Sequence, residues 1–197
     1  RAPPCAVACR RPPRRSPTEL WPRTRCTVAS GSLTRAASPQ MNAPPDDIAR
    51  IMSVMDRAFP PEYGEAWNRR QVGDALTIGN CRYGLIAPDG SEIIDINTEP
   101  AGFFMGRSIL DEEELLLFAI APQFRRQGLG HKLLQRFMAQ ARANGMARIF
   151  LEMRRDNPAA YLYAAHGFRE IGVRPAYYRT SDGSRIDAIS QEMVFDD

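Results

Sequence analysis

A glycine-containing loop between an apolar run and an amphipathic segment constrains this chain more than any other feature. The loop reads Arg125-Arg126-Gln127-Gly128-Leu129-Gly130. Before it, residues 114–120 form a short, nearly continuous apolar run bounded by acids and by Pro122, which predicts a strand buried on both faces. After it, apolar residues recur every three or four positions as far as Gly145, which predicts an amphipathic helix ended by a glycine cap. Strand, glycine loop and helix in this order favour an anion-binding site.

The predicted anion site depends on the start of that helix. Gly128 and Gly130 have no side chain, so a ligand can approach the backbone, and the first N–H groups of the helix point at it. A pyrophosphate suits such a site, and Arg125, Arg126 and Lys132 add positive charge at its rim. The alternative is that the glycines only turn the chain. The spacing excludes a P-loop and a Rossmann loop, because neither Gly-Lys-Ser/Thr nor a third glycine follows.

The 197-residue chain carries its positive charge in its first 40 residues. These contain eight arginines and one acid, Glu19, for a net charge of +7. Residues 41–197 contain 18 basic and 22 acidic residues, so their net charge is −4 and the whole chain has +3. The whole chain has 44 % hydrophobic residues, and at 197 residues it is long enough for one domain with a full core.

Residues 1–40 differ from the domain in composition. They are rich in Arg, Pro, Ser and Ala, show no apolar periodicity, and contain no hydrophobic run long enough for a secretory signal or a membrane span, so we expect disorder. The segment resembles an organelle transit peptide or a nucleic-acid-binding arm; alternatively, Met41 is the true start and the preceding residues are translated upstream sequence. Three of the four cysteines lie in it and Cys81 is alone in the domain, so we expect no disulfide framework, no metal site and a reduced, cytoplasmic setting.

The remaining pattern predicts a domain of alternating helices and strands. Asp46 and Asn157 are predicted to cap the first and last helices, and Asp111-Glu112-Glu113 to be a solvated turn between two antiparallel strands. The predicted helices span residues 46–59, 129–145 and 157–166, and a further helix starts at Tyr63 or Glu65 and ends at Leu76. The predicted strands span residues 80–87, 101–109, 114–120, 147–153, 168–178 and 186–195.

Glu152 is out of place in its predicted strand. It follows three apolar residues, 149–151, so its carboxylate is poorly solvated and its pKa should tend upward. Such a carboxylate suits a catalytic base, but a salt bridge to Arg154 or Arg155 explains it equally well. Tyr163, in the short helix that follows, is core packing by default.

Taken together, these residues resemble the GNAT superfamily of acetyl-CoA-dependent N-acetyltransferases, and are most similar to its RimI branch, the ribosomal-protein alanine N-acetyltransferases. The resemblance covers residues 101–197 well and residues 46–100 loosely. It implies an α/β fold in which helices flank a mixed, mainly antiparallel sheet. The motifs that carry it are Glu-Leu-Leu-Leu-Phe-Ala-Ile, Arg-Arg-Gln-Gly-Leu-Gly, Leu-Glu-Met-Arg, Asn157, Leu162-Tyr163, Gly167-Phe168, Tyr177-Tyr178, Asp182-Gly183 and Asp187-Ala188.

The resemblance implies where acetyl-CoA binds. The pantetheine arm would pair with the backbone of one strand end, as a further strand adds to a splayed sheet edge. Asn157 would contact the cofactor further along, and the resemblance implies no metal. The pantetheine-binding residues would be Phe118, Ala119 and Ile120. The pyrophosphate-binding residues would be Arg126, Gln127, Gly128, Leu129, Gly130 and His131.

The resemblance also assigns the reacting groups. Glu152 matches the family's general base, which takes a proton from the acceptor amine, and Tyr163 matches the acid that protonates the departing CoA thiolate. One residue is missing between Asn157 and Tyr163 relative to the branch, so Tyr161 is the fallback.

The implied activity is acetyl transfer to the N-terminal alanine of small-subunit ribosomal protein 18, by a monomer with neither a membrane nor a nucleic-acid partner. Acceptor specificity is partly set by the front of the domain, where the resemblance is weak. Two alternatives therefore stay open: acetylation of a small-molecule amine, and a CoA-binding regulatory module without turnover.

Overall fold

The computed structural model describes residues 6–8, 45–59, 64–93, 95, 97–180 and 182–195. These residues contain seven strands, four α-helices and one short 3-10 helix, Pro122–Phe124. The helices are α1 (Pro45–Ala58), α2 (Arg69–Thr77), α3 (Leu129–Ala143) and α4 (Ala160–Ala165). The strands are β1 (Ala6–Ala8), β2 (Cys81–Ile86), β3 (Gly102–Ile109), β4 (Glu112–Ile120), β5 (Arg148–Arg154), β6 (Arg169–Arg179) and β7 (Arg185–Val194).

All seven strands belong to one sheet, in the order β2-β3-β4-β5-β7-β6, with β1 added beside β4. Among the described strands only β4 and β5 pair in parallel, and every other pair is antiparallel. This arrangement confirms the predicted mixed, mainly antiparallel sheet flanked by helices.

The sheet opens between β4 and β5. The two strands pair only where residues 112–114 face residues 148–150, whereas β3 follows the other edge of β4 as far as Ile120. The second half of β4 therefore has one edge that β5 does not cover. A sheet edge of this kind presents N–H and C=O groups to any extended chain that fits beside it.

Strand β1 lies on that open edge. Ala6 pairs with Ala119, Val7 with Phe118 and Ala8 with Leu117, in antiparallel register. Residues 6–8 thus form regular structure inside the segment for which the sequence predicts disorder. Residues 1–5 and 9–40 lie outside the described residues.

One apolar layer packs on each face of the sheet. Leu133, Leu134 and Phe137 of α3 pack on one face with Phe104 of β3, whereas Phe103, the preceding residue, belongs to the layer under α1 and α2. This alternation is the two-residue period of a strand, and because both faces are covered it explains why residues 115–120 of β4 are all apolar. Burial of each such side chain stabilises the fold by about 1.5–3 kcal/mol.

The end of α3 matches the sequence prediction. Gly145 has a φ of 73° and follows the C-cap residue Asn144. Gly145 N donates to Arg142 O at 3.0 Å and Met146 N donates to Ala141 O at 3.1 Å, which together make a Schellman motif.

The starts of three helices differ from the predictions. Helix α1 begins at Pro45, so Asp46 lies inside the helix and is not its cap. Helix α2 begins only at Arg69, because Asn68 and Gln71 form a capping box there. Helix α4 begins at Ala160, although Asn157 Oδ1 accepts a hydrogen bond from Ala159 N at 2.9 Å just before it.

The predicted solvated turn of acids is wrong. Residues 112–114 lie inside β4, and the turn is made by Leu110, with a φ of 59°, and Asp111. Glu113 is fully buried and accepts a hydrogen bond from Arg82 Nε at 2.8 Å. Its neighbours on either side in the strand are paired as well, Glu112 with Arg148 and Glu114 with Arg107.

Candidate active site

The loop before α3 has the backbone shape of an anion site. Arg126 and Gly128 have φ values of 64° and 79°, in the left-handed region. Lys132 N donates to Gly128 O at 3.2 Å, which starts the intrahelical ladder, so the N–H groups of residues 129–131 come before it. Successive N–H groups in such a turn form a concave cradle for an anion, and the positive end of the helix dipole lies behind it.

Glycine is required at the two loop positions for different reasons. A Cβ on Gly128 would have no heavy atom within 4 Å, so what requires glycine there is the positive φ. A Cβ on Gly130 would lie 3.4 Å from Leu162 Cδ2 of α4. Gly130 therefore lets α3 and α4 approach closely, in addition to leaving its backbone accessible.

The cations around the loop are not equivalent. Arg126 is exposed, as the predicted phosphate contact requires. Arg125 instead donates to Ile120 O at 2.9 Å and to Ala58 O at 3.2 Å, so it ties the loop to β4 and α1. Lys132 lies over the β2–β3 turn, where its Nζ would be 2.7 Å from a Cβ on Gly90. The guanidinium of Arg125 is thus held by main-chain carbonyls, and that its charge helps to bind phosphate stays a prediction.

The other predicted loop residues have separate places. Gln127 is exposed and donates to Gln123 O at 3.2 Å, whereas Leu129 is buried in the core layer under α3. His131 is exposed in the first turn of α3, and its Nδ1 lies 3.0 Å from Nε2 of His166 at the end of α4. Burial and the neighbouring His131 lower the pKa of His166. Sequence reasoning missed His166, because the contact depends on how the two helices pack.

Tyr163 lies beside the open end of β4. Its ring is fully buried, with its centroid 6.2 Å from that of Phe118 and 5.5 Å from that of Phe168. Tyr161, two residues earlier in the same short helix, is 85 % exposed. Of the two predicted acids, only Tyr163 therefore adjoins the strand predicted to bind pantetheine.

Asn157 is buried between β5 and α4. Its side-chain oxygen accepts from Ala159 N, so it shapes the entry to α4. Contact with a cofactor stays a prediction for this residue.

Glu152 lies two residues beyond the last pair that joins β5 to β4, Phe150 with Glu114. Its side chain is 14 % exposed, and its Oε2 lies 3.3 Å from Arg174 Nε and accepts from Ser190 Oγ at 3.4 Å. Burial raises the pKa of Glu152, as the sequence predicts, while Arg174 and Ser190 oppose that rise.

The salt-bridge alternative for Glu152 named the wrong partners. Arg154 binds Glu65 and Asp156, and Arg155 binds Asp187. The actual partner, Arg174, comes from β6 and is a site residue that sequence reasoning missed. Its only sequence signal is its place shortly before the Tyr177-Tyr178 pair.

Two further features concern ligands and membranes. Within the described ranges, no group of three or more His, Cys, Asp or Glu side chains is placed to hold a metal ion. In the same ranges, no helix has both the length and the apolar character that crossing a membrane requires.

Comparisons with known proteins agree with this geometry. Residues 48–168 match the model of the acetyltransferase (GNAT) family. The [ribosomal protein bS18]-alanine N-acetyltransferase of Escherichia coli K12 is 42 % identical over 94 residues, which is 47 % of this chain and 63 % of that protein. The Haemophilus influenzae protein of the same name is 34 % identical over 93 residues, covering 47 % of this chain and 64 % of the relative.

The fold comparison extends further along the chain. The crystal structure of the ribosomal-protein-S18-alanine N-acetyltransferase from Escherichia coli superposes with a TM-score of 0.64 at 29 % identity, covering 78 % of this chain and 91 % of that one. In sequence, this chain spans less than two thirds of the length of the curated relatives it matches. Since the family model covers more than half of the chain, the chain belongs to the acetyltransferase (GNAT) family.

Proposed function

We propose that this chain transfers the acetyl group of acetyl-CoA to the N-terminal α-amine of a protein, and that its acceptor is the N-terminal alanine of ribosomal protein bS18. The observation that carries the proposal is the position of Glu152. Its partly buried carboxylate belongs to a residue just past the point where β4 and β5 separate, next to the gap in which the acceptor amine and the thioester would meet. The names of the Escherichia coli and Haemophilus influenzae relatives supply the acceptor.

In this proposal acetyl-CoA binds as a substrate along β4 and the start of α3. The cradle of residues 126–131 takes the pyrophosphate, with exposed Arg126 beside it. The pantetheine arm pairs with the β4 edge at residues 118–120, where it takes the place of β1, and Asn157 contacts it further along. The thioester then reaches the gap near Glu152.

The chemistry needs one base and one acid. Glu152 takes a proton from the acceptor ammonium, directly or through water, and an α-amine with a pKa of about 8 is within reach of a base whose pKa burial has raised. The free amine attacks the thioester carbonyl, so a C–N bond forms and the C–S bond breaks. Tyr163 gives its proton to the departing thiolate, and the second proton that the nitrogen loses on becoming an amide restores the neutral phenol. Holding amine and thioester together removes the need for a covalent enzyme intermediate.

The test is a panel of acceptors. The full chain is incubated with acetyl-CoA and peptides that carry the bS18 N-terminal sequence with Ala, Ser, Pro or acetylated Ala at the first position, alongside free small-molecule amines, and products are read by mass. We expect the Ala peptide to be acetylated fastest and the blocked peptide not at all. If only free amines react, the protein acceptor is wrong; if nothing reacts while acetyl-CoA binds, a regulatory CoA-binding module replaces the enzyme.

A further inference from the structure

Arg174 reaches Glu152 from a strand that is not its neighbour. In the sheet, β7 lies between β5 and β6. Ser190 of β7 pairs with Glu152, and Ala188 pairs with Arg174. These four residues alternate along their strands so that they share one face of the sheet, and the two on β7 are small. The Arg174 side chain therefore has room to cross β7, and its Nε lies 3.3 Å from the carboxylate.

A bulge in β6 sets the direction of Arg174. Between Arg174 and Tyr178 the register shifts, so that residues 175–177 stand opposite Asp187 alone. Ala176 has a φ of 54°, and its N–H donates to Asp187 Oδ1 at 2.9 Å. Arg185 Nη1 donates to Ala176 O at 3.1 Å, so the bulge is held on both sides. Bulges next to active sites commonly aim a side chain, and this one follows the residue that faces Glu152.

The guanidinium of Arg174 has a second partner in the same bulge. Its Cζ lies 5.4 Å from the centroid of the Tyr177 ring, within the range of a cation–π contact. Arg174 is thus held between an aromatic ring and a carboxylate, although its side chain is 44 % exposed. The Arg174–Glu152 pair therefore differs from an ion pair between two exposed side chains, because the carboxylate is largely buried and the guanidinium also contacts a ring.

We propose that Arg174 is a positioning residue, which holds the Glu152 carboxylate ionised and correctly oriented to take the proton of the acceptor amine. This inference rests on the proposed function, because it assumes that Glu152 is the base. Burial favours the protonated form of a carboxyl group, which cannot take a proton, and a nearby cation opposes that effect. Arginine suits the task since it stays charged at every working pH.

Three strands in the described part of the chain supply charged or polar groups that act on Glu152. Burial is the largest influence on the pKa of Glu152 and raises it. Arg174 of β6 lowers it most, the hydrogen bond from Ser190 of β7 lowers it further, and Glu114 of β4 raises it. Without Arg174, the pKa of Glu152 is therefore higher. Because turnover needs the ionised carboxylate, a variant without Arg174 loses turnover at a higher pH than the wild type when the solution is acidified.

The test is the pH dependence of kcat with saturating bS18 N-terminal peptide, since kcat reports groups in the bound complex. For Arg174→Gln we expect the acidic limb of the kcat profile to move to higher pH by about one unit or less. On that limb kcat should fall by up to about tenfold, and at alkaline pH kcat should fall less. Arg174→Lys should restore most of the limb. The matched control is Arg148→Gln, on β5 with a similarly exposed side chain (42 %) that pairs with Glu112 and Glu192, and its profile should not move.

The outcomes separate this inference from the proposed function. An acidic limb that stays in place in Arg174→Gln, whether or not kcat falls evenly at all pH values, overturns the positioning role. Glu152→Gln is measured in the same series. If Glu152→Gln keeps wild-type turnover, the base itself is wrong, and the proposed mechanism fails whatever Arg174 does.

Discussion

Loss of one partner from the buried ion pair between Glu65 and Arg154 should destabilise this domain strongly, because the other charge would then stay buried without its partner. Glu65 lies between α1 and α2, and Arg154 is the last residue of β5. Arg154 Nε donates to Glu65 Oε1 at 2.9 Å, and both side chains are only 3 % exposed. The pair therefore ties the α1–α2 connection to the strand that carries Glu152.

Glu65→Gln keeps the shape of the side chain but leaves the Arg154 charge buried without its full partner. Removal of one member of a buried pair costs about 3–5 kcal/mol. Arg154 also donates to Asp156 at 3.1 Å, and that contact survives, so we expect the lower end, about 3 kcal/mol. With a urea m value of about 2 kcal/mol/M, the unfolding midpoint should fall by about 1.5 M.

The assay is urea unfolding of wild type and variant, followed by circular dichroism. The matched control is Glu99→Gln, which removes the partner of Arg57 in an exposed pair with 30 % and 66 % of the two side chains accessible. An exposed pair contributes about 0–1 kcal/mol, so the control midpoint should hardly move. Equal midpoints for the two variants would refute the argument that removing one partner costs more stability in a buried ion pair than in an exposed one.

Three further predictions concern packing, the acid and the first strand. A Cβ on Gly106 would lie 2.6 Å from two neighbouring side chains, so Gly106→Ala should lower the free energy of unfolding in urea by about 1–3 kcal/mol. Gly73 lies in α2 and its Cβ would have no heavy atom nearer than 3.9 Å, so Gly73→Ala should raise that free energy by about 0.5–1 kcal/mol. Changes of the same sign in the two variants would contradict this prediction. Tyr163→Phe should lower kcat by about a hundredfold and Tyr161→Phe should leave it unchanged, so equal effects would remove Tyr163 as the acid. Deletion of residues 1–40 takes away β1, which occupies the β4 edge proposed for pantetheine, and should lower the KM for acetyl-CoA; an unchanged KM would mean that β1 does not compete.

The centre of the fold was predictable because its signals are local. The apolar run of β4, the loop after it and the periodicity of α3 all lie within about 30 consecutive residues, and Gly145 marks the helix end by its positive φ. Each of these features depends on neighbours in sequence. The helices and strands of this part were therefore predicted as the right type of element. The errors in their bounds were mostly a few residues at the starts of helices.

The acids of β4 could not be placed in the same way. Glu113 is buried because Arg82, 31 residues earlier, donates to it, and Glu112 is paired with Arg148, 36 residues later. A run of acids next to a turn is solvated unless such partners arrive from other strands. Those partners are known only when the strand register is known.

The candidate site was predictable to a similar extent. Glu152 is conspicuous in sequence because a carboxylate ends an apolar strand. Its partner Arg174 is not conspicuous, because its direction depends on the bulge that Asp187 and Arg185 hold across β7. In the same way the sequence does not show that Arg125 donates hydrogen bonds to main-chain carbonyls of β4 and α1, because the fold brings those carbonyls to it.

The most direct test of the account is Glu152→Gln, measured for acetyl-CoA affinity by calorimetry and for turnover of the bS18 N-terminal peptide by mass. The amide cannot take a proton from the acceptor amine but fills the same space beside Ser190 and Arg174. For Glu152→Gln we expect an unchanged acetyl-CoA Kd and a kcat lowered by about a hundredfold or more. Turnover close to that of the wild type would contradict it, because a carboxylate at this position would then not be the base.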